Sequence, residues 1–348
     1  MLAKAGKTVV GLDIEPGYLA AVEARGSLPA VERAAVATLP PGVVREGEVG
    51  DGEALSSALR ELFATHRLPR RVRLGVANQQ IVMRTLDLPP LSDPKDLASA
   101  VRFQAQEQLP MPIEQAVLEH RSLGPVETAE GLRTRVLLVA ARREMIEALL
   151  DVVRRAGLRP EGIDVSAFAM IRALHRPGDE GTTLYVSVGG VTNIAIAVGT
   201  RCAFTRVVPY GSEALAAELA ERRGLTLAHA HGWLEHTGLR AQLEELDGDP
   251  AILAEARAVL VDGARRLADE LRNSLDFHRM QDGSSALDRA VLTGPAVAIP
   301  GFAERLGEAL GLEFEPGAIV EARPGALDGL ERHRLTVAAG LTVTEVPA

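Results

Sequence analysis

With 348 residues, 47% of them hydrophobic and 24% charged, the chain has the balance of a soluble globular protein and the length for two lobes of roughly 150 residues each. A net charge of −9, with no basic stripe carrying interleaved aromatics, argues against a nucleic-acid partner. The single cysteine, Cys202, excludes an internal disulfide framework and points to a reducing, cytoplasmic setting.

The first half opens on Lys4 and Lys7 and an apolar run that Asp13 and Pro16 interrupt, too short and too polar for a secretory leader. Thr8 to Ile14 reads as a strand, Glu15-Pro16-Gly17 as a tight turn, and Tyr18 to Ala24 as the returning strand. Leu55, Leu59, Leu62 and Phe63 share one face of a helix. The next helix is capped by Asp93, carries Pro94 at its first position, and lays Leu97, Val101 and Ala105 along one stripe. Leu109-Pro110-Met111-Pro112 ends it. Arg133 to Ala140 is a strand, and a third helix with Met145, Leu149, Val152 and Val153 stops at Gly157. The stretch from about 83 to 164 reads as a subdomain inserted in a first lobe of residues 1–180.

The second lobe, 181–348, repeats the opening. Thr183 to Gly189 is a strand, Gly190-Val191-Thr192 a turn, and Asn193 to Val198 a second strand, followed by a third from Arg201 to Val208. The segment Leu184 to Gly199 is too short and too polar to span a bilayer. Cys202 reads as a small buried hydrophobe of the third strand rather than a reactive thiol. A helical insertion is expected over about 213–262, and the longest helix runs from about Leu253 to His278 on a seam of Leu260, Ala264, Leu267, Leu271 and Leu275. His229, His231 and His236 lack a Cys or carboxylate at a recognisable ligand spacing. No Ser-His-Asp set, paired carboxylates or sugar-kinase base stands out.

A hairpin turn rich in Gly, Ser and Thr can cradle phosphate, because successive backbone N–H groups point into one concave nest. The dinucleotide fingerprint joins strand to helix instead. Here strand leads to strand, twice, as in the paired phosphate clamps of the actin, hexokinase and DnaK superfamily. The segment from Arg289 to Gly301, with Thr293-Gly294-Pro295 leading to a helix of Phe302, Leu306 and Leu310, looks like the adenosine-holding turn of that superfamily.

At the level of whole motifs the chain resembles the PilM family of type IV pilus assembly proteins. The resemblance rests on GLDI, LPPGVVREGEV (Leu39 to Val49), RTLDLPPL (Arg84 to Leu91) and EQLPMPIEQAVLEHRSL (Glu107 to Leu123). AFTRVVPYGSEAL (Ala203 to Leu215), LADELRNSLDFHRMQ (Leu267 to Gln281) and LTGPAVAIPGF (Leu292 to Phe302) follow in the same order. It implies an α/β, actin-like (ribonuclease H-like) duplicated fold with two lobes around a nucleotide cleft. Asp13, Gly17, Gly189, Gly190, Thr192, Asn193, Gly211, Arg272 and Gly294 would line that cleft, with Asp13 organising Mg through water. Ser274 shares the helix of Arg272; for both, a solvated helix face is the competing reading. The resemblance also implies a cytoplasmic protein recruited to the inner membrane by the N-terminal cytoplasmic peptide of a PilN-like protein. Contacts with pilus motor or platform components, and self-association, would follow.

The departures from the family pattern fall on the cleft. The first turn of the family reads Asp-Ile-Gly-Ser/Thr-Ser with a lysine soon after. Here Glu15 and Pro16 replace the small donors, Pro16 removes an N–H, and Ala20 stands at the lysine position. Ser187 replaces the Asp of the second turn, and Gly294-Pro295-Ala296 replaces three glycines. Uncompensated, such losses weaken ATP/Mg binding by several kcal/mol, so the nucleotide is expected to bind weakly or not at all. A working, slow ATPase and an FtsA-like division protein are the alternatives. The C-terminal stretch Gly340 to Ala348 lacks the basic amphipathic pattern of FtsA-type membrane helices.

Overall fold

The computed structural model describes residues 8–26, 29–91, 93–129, 131–281, 284–317, 319–321 and 324–343. Lys4, Lys7 and residues 344–348 lie outside the described residues.

The chain begins with an antiparallel meander of β1 (Val10–Glu15), β2 (Tyr18–Arg25) and β3 (Ala30–Thr38). The first turn closes with Glu15 opposite Tyr18, and Gly17 takes a φ of 88° that the corner requires. A small ribbon of β4 (Val44–Arg45) and β5 (Glu48–Val49) leads to α1 (Gly52–Thr65). The Asp51 carboxylate caps α1 by accepting from Glu53 and Ala54, both at 3.0 Å, and the expected face of Leu55, Leu59, Leu62 and Phe63 is buried. β6 (Arg71–Val76) then lies parallel to β1.

Residues Asn78–Asp151 form a compact unit of their own. It contains β7 (Val82–Leu88), α2 (Pro94–Gln108), β8 (Ala116–Thr128) and β9 (Gly131–Arg142), in an antiparallel sheet of order β7-β9-β8. Asp93 caps α2 through Lys95 N–H at 2.7 Å, with Pro94 at the first position. The helix stripe packs on Leu86, Leu88, Val136 and Leu138. From the end of this unit α3 (Arg143–Arg155) leads on, and Gly157 with φ of 78° turns the chain.

β10 (Arg159–Val165) is placed in the first sheet, parallel to β6, and not in the insertion expected over 83–164. Its sequence, Arg-Pro-Glu-Gly-Ile-Asp-Val, carries little apolar alternation, so pairing with a distant strand defines it. α4 (Ser166–Leu174) follows.

The second meander is β11 (Thr182–Val188), β12 (Thr192–Val198) and β13 (Arg201–Val208). Cys202 is buried in it, its thiol pushed up to about 12 by burial. Three helices come next: α5 (Ser212–Arg223), α6 (Leu227–Thr237) and α7 (Pro250–Arg279). Asp249 caps α7, Pro250 opens it, and the predicted leucine seam is buried. β14 (Arg289–Thr293) lies parallel to β11, α8 (Phe302–Leu310) follows, and β15 (Phe314–Pro316) lies parallel to β14. Leu184, Val186, Ile194 and Ile196 pack with Leu260, Leu267, Phe302 and Leu306 in one core.

The chain then returns. β16 (Val320–Glu321) pairs with β3, and α9 (Thr336–Leu341) buries Ala338 and Ala339 with Tyr18, Ala20 and Val22 of β2. The tail of the expected second lobe, 181–348, thus packs on the first sheet.

The two sheets run β10-β6-β1-β2-β3-β16 and β13-β12-β11-β14-β15. In each, a three-stranded antiparallel meander is followed by two parallel strands beside its first strand, so β3-β2-β1-β6-β10 repeats as β13-β12-β11-β14-β15. This is a duplicated α/β fold. Among the described residues, no helix is long and apolar enough to cross a membrane.

Candidate nucleotide cleft

The duplication gives each sheet one hairpin turn, β1–β2 and β11–β12, and the structure brings the two turns into direct contact. A Cβ on Gly190 would lie 2.8 Å from the Pro16 nitrogen, and one on Gly189 would lie 3.1 Å from the Tyr18 hydroxyl. A Cβ on Gly17 would lie 2.5 Å from Oε2 of Glu213. At Gly190 the missing side chain permits a backbone approach to Pro16, while Gly17 and Gly189 face the side chains of Glu213 and Tyr18.

Glu15 closes the contact. Its carboxyl is 3% exposed, and Oε2 accepts from the Val191 N–H at 3.0 Å, with Gly190 N–H as a further donor. Burial raises this carboxyl well above the usual range, the charge of Asp13 raises it further, and the two N–H bonds oppose the shift. Asp13, on the strand leading to the turn, is 2% exposed and is pushed up to about 7 by burial. The Tyr18 hydroxyl is likewise raised, by burial and then by Glu15, while Arg334 sits over its ring at 5.0 Å.

The second turn is tied down from behind. The Gly189 carbonyl accepts from the Ser212 N–H at 2.8 Å and from its hydroxyl at 3.1 Å, at the start of α5. Thr192 Oγ1 donates to the Tyr210 carbonyl at 2.6 Å. Gly211 packs on Gly189, where a Cβ would lie 3.1 Å from its carbonyl carbon. Asn193 is 1% exposed, and among the described residues its amide nitrogen and oxygen have no hydrogen-bond partner.

Of the remaining predicted residues, Gly294 lies against the end of β11 just before the second turn, and Arg272 lies on α7. Gly294, with φ of 84°, presses on β11 so that a Cβ would lie 2.7 Å from the Val188 oxygen, and its N–H donates to the His333 carbonyl at 3.2 Å. Arg272 is 47% exposed on α7, paired with Asp269 at 2.7 Å and bonded to the Ala309 carbonyl at 2.7 Å. Ser274 donates to its own helix at Glu270 and accepts from Arg206 at 3.1 Å.

Asp13, Gly17, Gly189, Gly190, Thr192, Asn193 and Gly211 therefore lie on or beside the meeting turns, and Arg272 is committed to a surface pair. Sequence reasoning missed Tyr18, Glu213, His231 and Arg334. His231 Nε2 lies 2.8 Å from Glu213 Oε1, joining α6 to the turns. Nothing in their spacing marks these four; only the fold gathers them. Of the other histidines, His236 Nε2 lies 2.7 Å from the Asp247 carbonyl and His229 sits in the first turn of α6 under the Thr226 cap.

Several donors of this arrangement are already engaged. Val191 and Gly190 already donate to a carboxylate, the Gly294 N–H already donates to a carbonyl, and Pro16 and Pro295 have none to give. Asp13, Glu15 and Glu213 add acidic groups where an anion would come. Among the described residues, no group of three or more metal-ligating side chains is placed to hold a cation.

The duplicated sheets with facing hairpin turns define an actin-like protein, and structures of that class share the fold. EutJ, an ethanolamine utilization protein from Carboxydothermus hydrogenoformans, matches with a TM-score of 0.54 at 17% identity, over 98% of this chain and 90% of its own. MreB5 of Spiroplasma citri, solved with ADP bound, matches with 0.56 at 11% identity, over 97% and 96%. A structure described as the PilM-PilN type IV pilus biogenesis complex matches with 0.81 at 28% identity, over 98% of this chain and 99% of that one. The family model for type IV pilus assembly protein PilM matches residues 11–324. The chain belongs to the PilM family of type IV pilus assembly proteins.

Proposed function

We propose that this protein is an assembly component of a type IV pilus or related secretion machine. It binds the short cytoplasmic tail of a PilN-like membrane protein and is recruited to the inner membrane by that contact. The similarity to the PilM-PilN structure over nearly the full length of both chains carries this reading. The tail binds as a peptide with apolar anchors in pockets. In the same reading the nucleotide site is degenerate, and the seat of Glu15 on Val191 is the observation that supports this. Titration with the N-terminal peptide of a PilN-like protein tests the assembly role. A dissociation constant in the micromolar range is expected, and no binding at about 100 µM would remove the assignment.

A working ATPase is the second reading, favoured by the unpartnered, buried amide of Asn193 beside the second turn. Calorimetry with ATP and magnesium separates the two: a dissociation constant below about 10 µM would establish the second.

A further inference from the structure

We propose that Glu15 is a built-in latch: its carboxyl group seats on the backbone nest of the β11–β12 turn and holds the two sheets together without nucleotide. This rests on the reading of the site as degenerate.

Two consecutive N–H groups of a turn, those of Gly190 and Val191, converge on one carboxyl group. That is the geometry by which turns hold phosphates and other anions. Here the acceptor is a carboxyl group of the opposite sheet, 176 residues away in the chain. The approach is built for it, since Gly190 has no side chain to meet Pro16, and Gly17 swings the first turn under Glu213. The receiving turn cannot drift, because Ser212 holds Gly189 twice and Thr192 is bonded to Tyr210.

The groups facing Glu15 are Asp13 on β1, Tyr18 on β2 and Glu213 on α5, with His231 of α6 on Glu213 and Arg334 over Tyr18. A free anion entering this space meets donors already engaged and carboxyl groups on two sides. The same seat that excludes a free anion bridges the two turns. The closed arrangement is then a constant property of the chain and independent of cellular ATP.

Chemical rescue tests the latch. Glu15→Ala leaves a small space and two N–H groups without an acceptor. The variant should melt about 5 °C or more below the parent. Formate or inorganic phosphate at about 50 mM should recover at least half of that loss, at matched ionic strength, while chloride recovers none and the parent responds to none of the three. Melting like the parent, or recovery no better than with chloride, overturns the proposal.

If Glu15→Ala does not fold, hydrogen exchange on the unaltered protein decides. The amides of Gly190 and Val191 should exchange slowly without nucleotide and unchanged by ATP with magnesium. Fast exchange, or protection gained only with ATP, overturns it. Tight ATP binding by the unaltered protein would sink the degenerate-site reading itself. Absent ATP binding together with failed rescue would sink the latch alone.

Discussion

Gly340 of α9 lies against Ala169 of α4 so closely that a Cβ would sit 2.5 Å from the Ala169 carbonyl carbon. On its other side α9 presses on β1, where a Cβ on Gly11 would sit 2.9 Å from the Ala338 carbonyl carbon. The C-terminal helix is thus wedged between a helix and a strand with only glycine at the two closest approaches. Gly340→Ala must push backbone against backbone, which has no soft rotamer to yield. Urea unfolding should show a loss of about 3 kcal/mol or more with an unchanged slope. A loss below about 0.5 kcal/mol would mean that the helix stands off from α4.

Arg73 anchors the end of the same helix. From β6 its Nη1 donates to the carbonyls of Leu341 at 2.9 Å and Val343 at 3.3 Å, while Arg172 donates to Gly340 at 3.3 Å. These are the terminal carbonyls that a helix cannot satisfy internally. Arg73→Met keeps the stem and removes the donors, and should cost about 1–3 kcal/mol. Hydrogen exchange should locate the loss at residues 336–343, whereas an effect spread evenly over the first sheet would contradict local anchoring.

The pH dependence of stability follows from Asp13. Its carboxyl is pushed up from 3.8 to about 7 by burial, so the folded protein holds a proton that the unfolded chain has released. The associated stability is present in full below pH 3.8 and disappears as pH rises through about 7. Glu15 shifts in the same direction. Unfolding free energy should therefore carry a falling contribution between pH 4 and 7, and Asp13→Asn should flatten that slope and stabilise the protein at pH 8. An Asp13→Asn variant whose stability runs parallel to the parent from pH 4 to 8 would show that Asp13 stays ionised.

Replacing Glu15→Gly together with Pro16→Ser frees two N–H groups, adds a third and removes an acidic group from the cleft. ATP affinity should rise tenfold or more, about 1.4 kcal/mol, with tail-peptide affinity unchanged in the absence of nucleotide. An exposed hairpin turn would accept both changes without effect on folding, but Glu15 is buried, so stability should fall as well. Arg272→Ala in that background should leave ATP affinity unaltered, since Arg272 is held by Asp269 and Ala309. If ATP affinity does not rise in a folded double variant, Ser187 or Pro295 limits binding.

The sequence by itself determined the elements whose signals are local. Asp93-Pro94 and Asp249-Pro250 fix helix starts because a carboxylate cap and a proline act within one turn, and the leucine seam of α7 buries itself wherever that helix docks. The two glycine-bearing hairpins were legible for the same reason, and the order of motifs pointed to the family. Tertiary structure decided what depends on partners far along the chain. β10 exists because β6 accepts it, and α9 crosses back because Gly11 and Gly340 leave room for it. At the cleft, Glu15 read as a charge at an open turn that would repel phosphate. Only the meeting of two turns, 176 residues apart, shows that its carboxyl accepts from the backbone of the second turn. A backbone N–H carries no mark in sequence of what it will bond, so the arrangement of the sheets alone settles it.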